Sequence, residues 1–243
     1  MPFLHVDSLH IRLGKFSLDN ISLSCGKGDY HILLGPSGSG KSTLVKCILG
    51  FHKMSSGTIV LDGKNITREL PENRRMGYVP QNYALFPHLN VEQNIAFGLK
   101  ARGILAHERE AIVKRLVGIL KIEKLLKRRV QNLSGGEKQK VALGRALGAK
   151  PEVILLDEPF SSIDEGGKRG LWFELKQIVE EVGITTIHIT HNLEEAYTLG
   201  QHLSVLIGGN LVQHGPKQDI FERPRNESIA KYLGYTNIFK GIY

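Results

Sequence analysis

A glycine-rich stretch carries the strongest chemical signal in the chain. It reads Gly35, Pro36, Ser37, Gly38, Ser39, Gly40, Lys41, Ser42 and Thr43, which fits the pattern G-x-x-x-x-G-K-[ST]. The apolar run 31–34 before it predicts a buried strand, and residues 44–49 after it predict a helix. Glycines let backbone N–H groups converge on an anion, and the helix N terminus adds unpaired donors. We therefore predict a nucleoside triphosphate site, with Lys41 on the β- and γ-phosphates and the Ser42 hydroxyl on Mg²⁺.

Two adjacent carboxylates, Asp157 and Glu158, follow the apolar run 153–156. A carboxylate at the end of a buried strand is well placed to hold Mg²⁺, and we assign that role to Asp157. Glu158 is then expected to point toward the attacking water and to polarise it. An acidic pair at a strand end is often only part of a turn, but the phosphate loop earlier in the chain favours the catalytic interpretation.

A second glycine pair, Gly135 and Gly136, precedes a helical pattern over residues 137–147. Ser134 and Glu137 flank the pair with the spacing of a capping box. That spacing explains the serine and the glutamate but not the two glycines, which weaken a helix start unless something must approach the backbone closely. We therefore predict that an anion binds at this helix N terminus.

Length and composition favour one globular α/β unit with a small insertion, since the 243 residues are 41% hydrophobic and 23% charged. Cys25 and Cys47 lack metal-ligand spacing and are expected to be reduced packing residues of a cytosolic protein. The first five residues lack the basic and apolar regions of a signal peptide. No apolar run approaches membrane-spanning length, so any function at a membrane is expected to depend on a partner protein.

The net charge of +8 is compatible with nucleic acid, with an anionic membrane surface or with nucleotide phosphates. The densest basic run is residues 121–129, and its apolar positions Ile122, Leu125, Leu126 and Val130 form an amphipathic pattern. This pattern favours a solvated helix face. No aromatic residues are interleaved to stack on bases, so we expect no nucleic-acid partner.

The remaining patterns predict the elements that position these residues. Strand patterns in the first third of the chain predict an antiparallel β layer and short strands at residues 4–6, 9–13, 16–23, 57–63 and 76–80. Helical periods then predict a helical insertion at residues 91–99, 108–120 and 137–147. A strand–helix–strand order over residues 153–156, 171–181 and 185–189 favours a parallel sheet. The chain is expected to close with a hairpin around residues 208–210.

The motifs together resemble an ATP-binding cassette (ABC) ATPase, and the resemblance covers nearly the whole chain. In that family residues 133–139 are the signature motif, which acts on a partner's ATP through Ser134, Gly135, Gly136 and Gln139. Three further residues fall at family positions in the family's order: Gln81 in the Q-loop, Asp164 in the D-loop and His191 at the switch. The resemblance implies ATP hydrolysis, with Glu158, His191 and Gln81 as catalytic residues and with Ser42, Gln81 and Asp157 as Mg²⁺ ligands.

The resemblance also implies the domain organisation. It predicts an α/β fold, a P-loop NTPase with a RecA-like parallel sheet core, an antiparallel β layer and a helical ABC-specific subdomain. A single domain is expected over residues 1–235, with the core at about 1–81 and 150–235 and the helical subdomain at about 82–149. Residues 236–243 are expected to be a stub at the point where longer relatives continue into a regulatory β-domain.

Family members pack two copies head to tail, with ATP between one copy's phosphate loop and the other's signature motif. A second helix N terminus over the γ-phosphate adds positive potential and excludes water. The resemblance therefore implies a second copy of the chain as the first partner, with ATP and Mg²⁺ as the ligands.

The chain departs from the family pattern at several positions, among them the adenine contact, Ser162 in the D-loop, Asn192 after His191 and two glycines in a helix. The family usually stacks an aromatic residue on adenine, but that position is Leu13 here; Phe16 either takes the role or is a core residue. Gly144 and Gly148 lie inside the helical pattern after the signature motif, where alanine is expected to be more stable by about 1 kcal/mol each.

Residues 81–91 resemble the segment that importer ATPases present to their permeases. An apolar cluster there, Tyr83, Leu85, Phe86 and Leu89, is either internal packing or a groove for a short cytoplasmic helix of a permease. Residues 12–18 and 221–224 resemble importers of oxyanions such as molybdate, tungstate or sulfate, with polyamine, iron and sugar importers nearby. This implies a transmembrane permease, indirectly an extracytoplasmic solute-binding protein, and a peripheral place on the cytoplasmic face of the membrane.

Two other classes of protein remain as alternatives. A non-transport ABC protein acting in DNA repair would be expected to carry long coiled coils or zinc sites, and one acting in translation usually carries two cassettes. A small-molecule P-loop kinase would leave residues 133–139 unexplained.

Overall fold

The computed structural model describes residues 2–239, and the chain in it forms two compact units. The first unit is Met1–Arg74 with Ile187–Tyr243, and the second is Arg75–Thr186. Of the expected C-terminal stub, residues 240–243 lie outside the described residues. The core and subdomain boundaries near residues 82 and 149 stay predictions. Among the described helices, none combines the length and the apolar character needed to cross a bilayer.

An antiparallel sheet of order β2-β1-β4-β5 forms one layer of the first unit. Its strands are β1 (Leu4–Leu13), β2 (Phe16–Cys25), β4 (Ser56–Leu61) and β5 (Lys64–Asn65). Strands β1 and β2 form a hairpin whose register runs from Leu4 opposite Cys25 to Leu13 opposite Phe16. The predicted antiparallel layer is confirmed, and the two strands predicted at residues 4–6 and 9–13 are one continuous strand. Cys25 and Cys47 are both buried and carry free thiols.

A second group of strands in the first unit runs in the order β10-β9-β3-β8. The strands are β3 (Tyr30–Leu34), β8 (Thr185–Thr190, on which the division between the units falls), β9 (His202–Ile207) and β10 (Asn210–Pro216). Strand β3 is buried at every position and runs parallel to β9. The β9–β10 hairpin turns through Gly208 and Gly209, whose φ angles of 54° and 80° favour glycine.

Helix α1 (Lys41–Ile48) begins three residues earlier than predicted, because Gly40 at its N-cap adopts a left-handed φ of 104°. Its C-terminal end is held by Arg74, a side chain only 4% exposed. The guanidinium donates to the carbonyls of Cys47 at 2.9 Å and Ile48 at 2.7 Å. Both carbonyls lie in the last turn of α1, where helix carbonyls lack partners of their own, so a distant arginine completes this helix. Three short helices complete the unit: α6 (Leu193–Leu199), α7 (Lys217–Glu222) and α8 (Glu227–Tyr232).

The second unit contains two parallel strands and four longer helices. They are β6 (Met76–Val79), α2 (Val91–Ala101), α3 (Ala106–Leu120), α4 (Gly135–Gly148), β7 (Val153–Asp157) and α5 (Glu165–Val182). Strands β6 and β7 pair in parallel from Met76 opposite Val153 to Val79 opposite Leu156. With the parallel β3–β9 pair in the first unit, this confirms the predicted parallel core strands.

Close contacts oppose the stabilising effect expected from alanine at Gly144 and Gly148. A Cβ atom on Gly144 would lie 2.8 Å from Cδ1 of Leu120 on α3 and 3.3 Å from Cγ1 of Ile95 on α2. A Cβ atom on Gly148 would lie 3.1 Å from the Ile95 carbonyl oxygen. The two glycines let α4 pack closely against its neighbouring helices, and this packing opposes the gain in helix propensity.

The basic run at residues 121–129 is not a helix face. Helix α3 ends at Leu120, and Lys121 follows it with a left-handed φ of 55°. A 3₁₀ turn over Glu123–Leu125 then buries Ile122 and Leu125 and leaves the cations exposed. The amphipathic pattern thus identified the buried positions, but the left-handed residue after α3 prevents a longer helix.

Candidate functional site

The phosphate loop joins β3 to α1 and folds around its own lysine. Lys41 is 5% exposed, and its Nζ donates to the carbonyls of Gly35 at 2.7 Å and Pro36 at 2.9 Å. A Cβ atom on Gly35 would lie 2.1 Å from the Leu206 carbonyl oxygen, so only glycine fits there. Helix α1 has no side-chain cap and no acidic residue in its first turn. The Ser39 hydroxyl is buried without a hydrogen-bond partner. These polar groups fit an anionic ligand such as a triphosphate.

Leu13 and Phe16 face each other across the β1–β2 turn. Leu13 is 41% exposed. Phe16 is half-buried, and a Cβ atom on Gly40 would lie 2.5 Å from its Cζ. The phenyl ring therefore lies against the phosphate loop while part of it remains open to solvent. This placement favours a role beside the nucleotide over a role in the core.

His191 directly follows β8 and is exposed. Its carbonyl accepts from the hydroxyl of Tyr232 on α8 at 3.4 Å, and the same hydroxyl is hydrogen-bonded to the Gly35 backbone. Burial raises the pKa of Tyr232 to about 12, so the phenol stays protonated and able to donate. Tyr232 thus connects the switch position to the start of the phosphate loop, and no sequence motif indicated it.

The acidic pair lies at the end of β7 in the second unit. Asp157 is 7% exposed and accepts from the Tyr78 hydroxyl at 3.2 Å; burial and the Asp157 charge raise the pKa of Tyr78. Glu158 has a φ of 46°, an uncommon conformation for a residue with a side chain and one that clusters at functional sites. The Gln81 side-chain amide donates to Glu158 Oε2 at 3.4 Å. The predicted base and the Q-loop glutamine therefore lie together.

The signature segment forms the predicted capping box. The Glu137 backbone N–H donates to Ser134 Oγ at 3.3 Å, and the Ser134 N–H donates to Glu137 Oε2 at 2.7 Å. A Cβ atom on Gly135 would lie 3.2 Å from the Ser162 carbonyl oxygen, and one on Gly136 would lie 3.2 Å from the Leu171 side chain. Part of the reason for the glycine pair is therefore close packing within the chain itself.

Two other predicted residues flank this segment. The Gln139 side chain is buried, at 5% exposure. Asp164 is exposed at the N-cap of α5, where its side chain makes no capping hydrogen bond.

The apolar cluster after Gln81 divides into a buried part and a half-exposed part. Tyr83 is buried and donates through its hydroxyl to the Pro159 carbonyl at 3.1 Å, which makes it internal packing. Leu85, Phe86 and Leu89 are half-buried. Arg145 holds this loop, since its guanidinium donates to the carbonyls of Ala84 and Tyr83 at 2.6 and 2.9 Å and lies 5.1 Å from the Phe86 ring centroid. The helical pattern of residues 137–147 gave no sign that Arg145 has this role.

The predicted site residues are divided between the two units. The first unit holds the phosphate loop, Leu13, Phe16 and His191, and the second holds Gln81, Ser134, Gly135, Gly136, Gln139, Asp157, Glu158 and Asp164. No group of three histidine, cysteine or acidic side chains able to hold a metal occurs within residues 2–239. The predicted Mg²⁺ ligands are instead a hydroxyl, an amide and one carboxylate. Such oxygen donors suit Mg²⁺, which usually takes one or two carboxylates together with substrate phosphates.

Comparison with known proteins agrees with these motifs. The model of the ABC transporter family matches residues 18–161. The molybdate/tungstate import ATP-binding protein WtpC of Thermococcus kodakarensis is 45% identical over 239 residues, which cover 98% of this chain and 72% of the relative. WtpC of Methanocaldococcus jannaschii is 45% identical over 97% of this chain and 77% of the relative. The spermidine/putrescine import ATP-binding protein PotA of Pseudomonas fluorescens is 42% identical over 93% of this chain and 62% of the relative. The chain belongs to the ABC transporter family, as an ATP-binding subunit that hydrolyses ATP.

Proposed function

We propose that the chain powers an importer for an oxyanion of the molybdate or tungstate type, working with a separate membrane permease. The observation that carries this proposal is the 45% identity over 98% of the chain to a molybdate/tungstate import ATP-binding protein. Polyamine import is the second candidate, because a spermidine/putrescine import protein is 42% identical over 93% of the chain. An extracytoplasmic binding protein would deliver the cargo, and this subunit would sit at the cytoplasmic face of the membrane.

We assign the phosphate contacts to the loop from Gly35 to Thr43, with Lys41 on the β- and γ-phosphates. The buried ammonium of Lys41 supports this role, because it already donates to two neutral carbonyls that charged phosphate oxygens can replace. Phe16 is assigned to the adenine ring, supported by its partial exposure and by the position of its ring against Gly40.

For hydrolysis we assign Glu158 as the base that accepts a proton from the attacking water. The Gln81 amide 3.4 Å from its carboxylate supports this role, since it orients the base. Ser42, Gln81 and Asp157 are assigned as the residues that would hold Mg²⁺, which when bound neutralises phosphate charge. His191 is assigned to the γ-phosphate end of the site, where it takes part in hydrolysis.

A second copy of the chain would complete the site. The N terminus of α4, with Ser134, Gly135 and Gly136, is assigned to the ATP of the partner copy. Support comes from the exposure of Ser134 and from the dipole of the 14-residue helix behind it, which favours an anion. Leu85, Phe86 and Leu89 are assigned to the permease contact, since their surfaces remain partly open.

The substitution Glu158→Gln tests the catalytic assignment. We expect the variant to bind MgATP, to lose hydrolysis by about 100-fold or more, and to accumulate as a dimer visible by light scattering. Glu180→Gln, an exposed position on α5, is the matched control and should behave as the unmodified chain. A Glu158→Gln variant that stays monomeric and hydrolyses ATP normally would refute the proposal.

Cargo is tested in the assembled importer, with its permease and binding protein in vesicles. Molybdate or tungstate should stimulate ATP hydrolysis, and spermidine should not. Stimulation by spermidine alone would move the assignment to polyamine import.

A further inference from the structure

A buried network of three polar side chains lies in the first unit. The Tyr30 hydroxyl lies 2.8 Å from Nδ1 of His188, and Nε2 of His188 lies 2.7 Å from Oε1 of Glu195. Their exposures are 4%, 0% and 5%. They come from β3, β8 and α6, so the network joins β3 to two elements that lie more than 150 residues later in the sequence.

The two contacts in this network differ in kind. The Tyr30 hydroxyl and Nδ1 of His188 form a hydrogen bond, whereas Nε2 of His188 and Oε1 of Glu195 lie at ion-pair distance without hydrogen-bond geometry. Burial, and then the charge of Glu195, raise the pKa of Tyr30 well above its usual range, so the phenol stays a donor. Buried polar contacts of this kind hold their elements in place, because the partners cannot be exchanged for water.

Two residues of this buried network lie on either side of the switch position, His191, in the sequence. His188 precedes His191 by three residues, and Glu195 follows it by four. Between them, the Asn192 N–H donates to Thr190 Oγ1 at 3.0 Å, and the Glu195 N–H donates to the Asn192 side chain at 2.9 Å. His191 is thus an exposed residue on a turn whose two sides are tied together in the interior.

We propose that His188 and Glu195, supported by Tyr30, are positioning residues that hold the His191 turn in the geometry required for ATP hydrolysis. The inference rests on the proposed function, in which His191 takes part in hydrolysis. Catalytic groups misplaced by a fraction of an ångström lose rate without losing ground-state binding, so these residues should act on kcat and not on KM.

A second buried network supplies the matched control. Nε2 of His31, the neighbour of Tyr30 on β3, lies 2.9 Å from Ser204 Oγ, which lies 2.9 Å from Nδ1 of His214. His31 and Ser204 are both fully buried, like His188. None of these three residues lies within ten positions of His191 in the sequence. Ser204→Ala should therefore lower stability and leave the kcat of the folded protein unchanged.

The test compares Glu195→Ala, Glu195→Gln and Ser204→Ala at a temperature at which melting curves show each to be folded. We expect Glu195→Ala to lower kcat about 10-fold with KM for ATP within about twofold. Glu195→Gln should restore most of kcat, because it keeps a polar side chain of the same shape against Nε2 of His188. Equal losses of kcat in Glu195→Ala and Ser204→Ala, or no rescue by Glu195→Gln, would overturn the proposal.

A double-mutant cycle separates failure of this inference from failure of the proposed function. His191→Ala alone should reduce hydrolysis strongly, and adding Glu195→Ala should then have little further effect. If His191→Ala leaves hydrolysis intact, the proposed role of His191 fails. If His191→Ala is inactive but Glu195→Ala is fully active, only the positioning role fails. Should Glu195→Ala not fold, Tyr30→Phe provides the same comparison. We expect Tyr30→Phe to lower kcat about threefold, and a normal kcat in this variant would overturn the positioning role.

Discussion

Helices α1 and α4 both begin after a glycine-rich segment, but their N termini are completed in different ways. Helix α1 starts after Gly40, has no side-chain cap, and lacks an acidic residue in its first turn. Helix α4 starts after Ser134, whose side chain and that of Glu137 form a reciprocal capping box. Both helices begin with backbone N–H groups that no earlier turn can satisfy.

The difference shows which N terminus depends on a ligand. Helix α1 has no side-chain cap at Gly40 and no acidic residue in its first turn, so its N terminus suits an anionic ligand. The α4 donors are partly satisfied within the chain, so this helix is stable before any partner copy arrives. We infer that the N terminus of α1 binds nucleotide within a single copy. The N terminus of α4 is already formed and would contact a nucleotide only when a second copy of the chain carries it there.

Removal of the lysine from the uncapped helix should have the largest effect. Lys41→Ala deletes a buried ammonium whose proposed bonds to phosphate oxygens would be charge-assisted, and we expect ATP affinity to fall about 100-fold. Isothermal titration with MgATP measures it. Lys46→Ala, on the same helix and half-buried, is the control and should bind normally. Normal affinity in Lys41→Ala would mean that the α1 N terminus is not the phosphate site.

Acid should affect the two units unequally. Burial, and then His214 and His202, lower the pKa of His31 from 6.5 to about 3, whereas both histidines of the second unit, His88 and His107, are exposed. Below pH 6.5 the unfolded chain binds a proton that the folded chain excludes, so stability is complete above pH 6.5 and falls as the pH drops toward 3. At pH 5 this amounts to about 2 kcal/mol.

Urea unfolding at pH 7 and pH 5 measures this loss, and hydrogen-exchange protection assigns it to a unit. His31→Gln removes the titration and should make the unfolding free energy less sensitive to pH by about the same amount. Equal pH sensitivity of the variant and the unmodified chain would contradict the prediction.

The glycines inside α4 sharpen the comparison, because they serve packing and not ligand access. Gly144→Ala should lower the free energy of unfolding by about 1–2 kcal/mol, since its Cβ would lie 2.8 Å from Leu120 Cδ1. Gly98→Ala on α2, whose Cβ would meet nothing within 4 Å, should instead raise it by about 0.5–1 kcal/mol. Chemical denaturation compares the pair, and a stabilising Gly144→Ala would remove the packing explanation.

A small effect on stability is also expected at the α4 cap. Ser134→Ala removes one capping bond and should cost about 1 kcal/mol of stability. ATP binding to a single copy should not change, whereas hydrolysis at equal dimer-forming concentration should fall. Asn90→Ala removes the equivalent capping box of α2 and should cost similar stability without changing hydrolysis. Equal hydrolysis in both variants would mean that Ser134 serves the helix alone.

Sequence patterns predicted most of this fold because the signals are local. Alternating apolar residues specify β1 and β2, fully apolar runs specify β3 and β7, and the Ser134–Glu137 spacing specifies the start of α4. The same reasoning failed where a neighbouring element decides the outcome. Gly144 could not be recognised as a packing residue without α2 and α3 beside it, and residues 121–129 could not be recognised as a turn without the left-handed Lys121.

The candidate site shows the same division between local and distant information. The phosphate loop and the acidic pair were predicted from residue types at fixed spacing, and the switch histidine was predicted from the family resemblance. Residues that support them were not: Arg74 at the end of α1, Arg145 on the Gln81 loop and Tyr232 between Gly35 and His191. Each acts on a backbone group many residues away, and a single arginine or tyrosine has no local pattern that signals this.

The sequence by itself determined which chemical groups this protein carries and in which order, because glycine, lysine and carboxylate motifs act through their immediate neighbours. Only the tertiary structure decided how those groups are held. Tyr30 and His188 are 158 residues apart in the chain, yet their side chains lie 2.8 Å from each other. A contact of that kind depends on strand order and burial, which short-range periodicity does not encode.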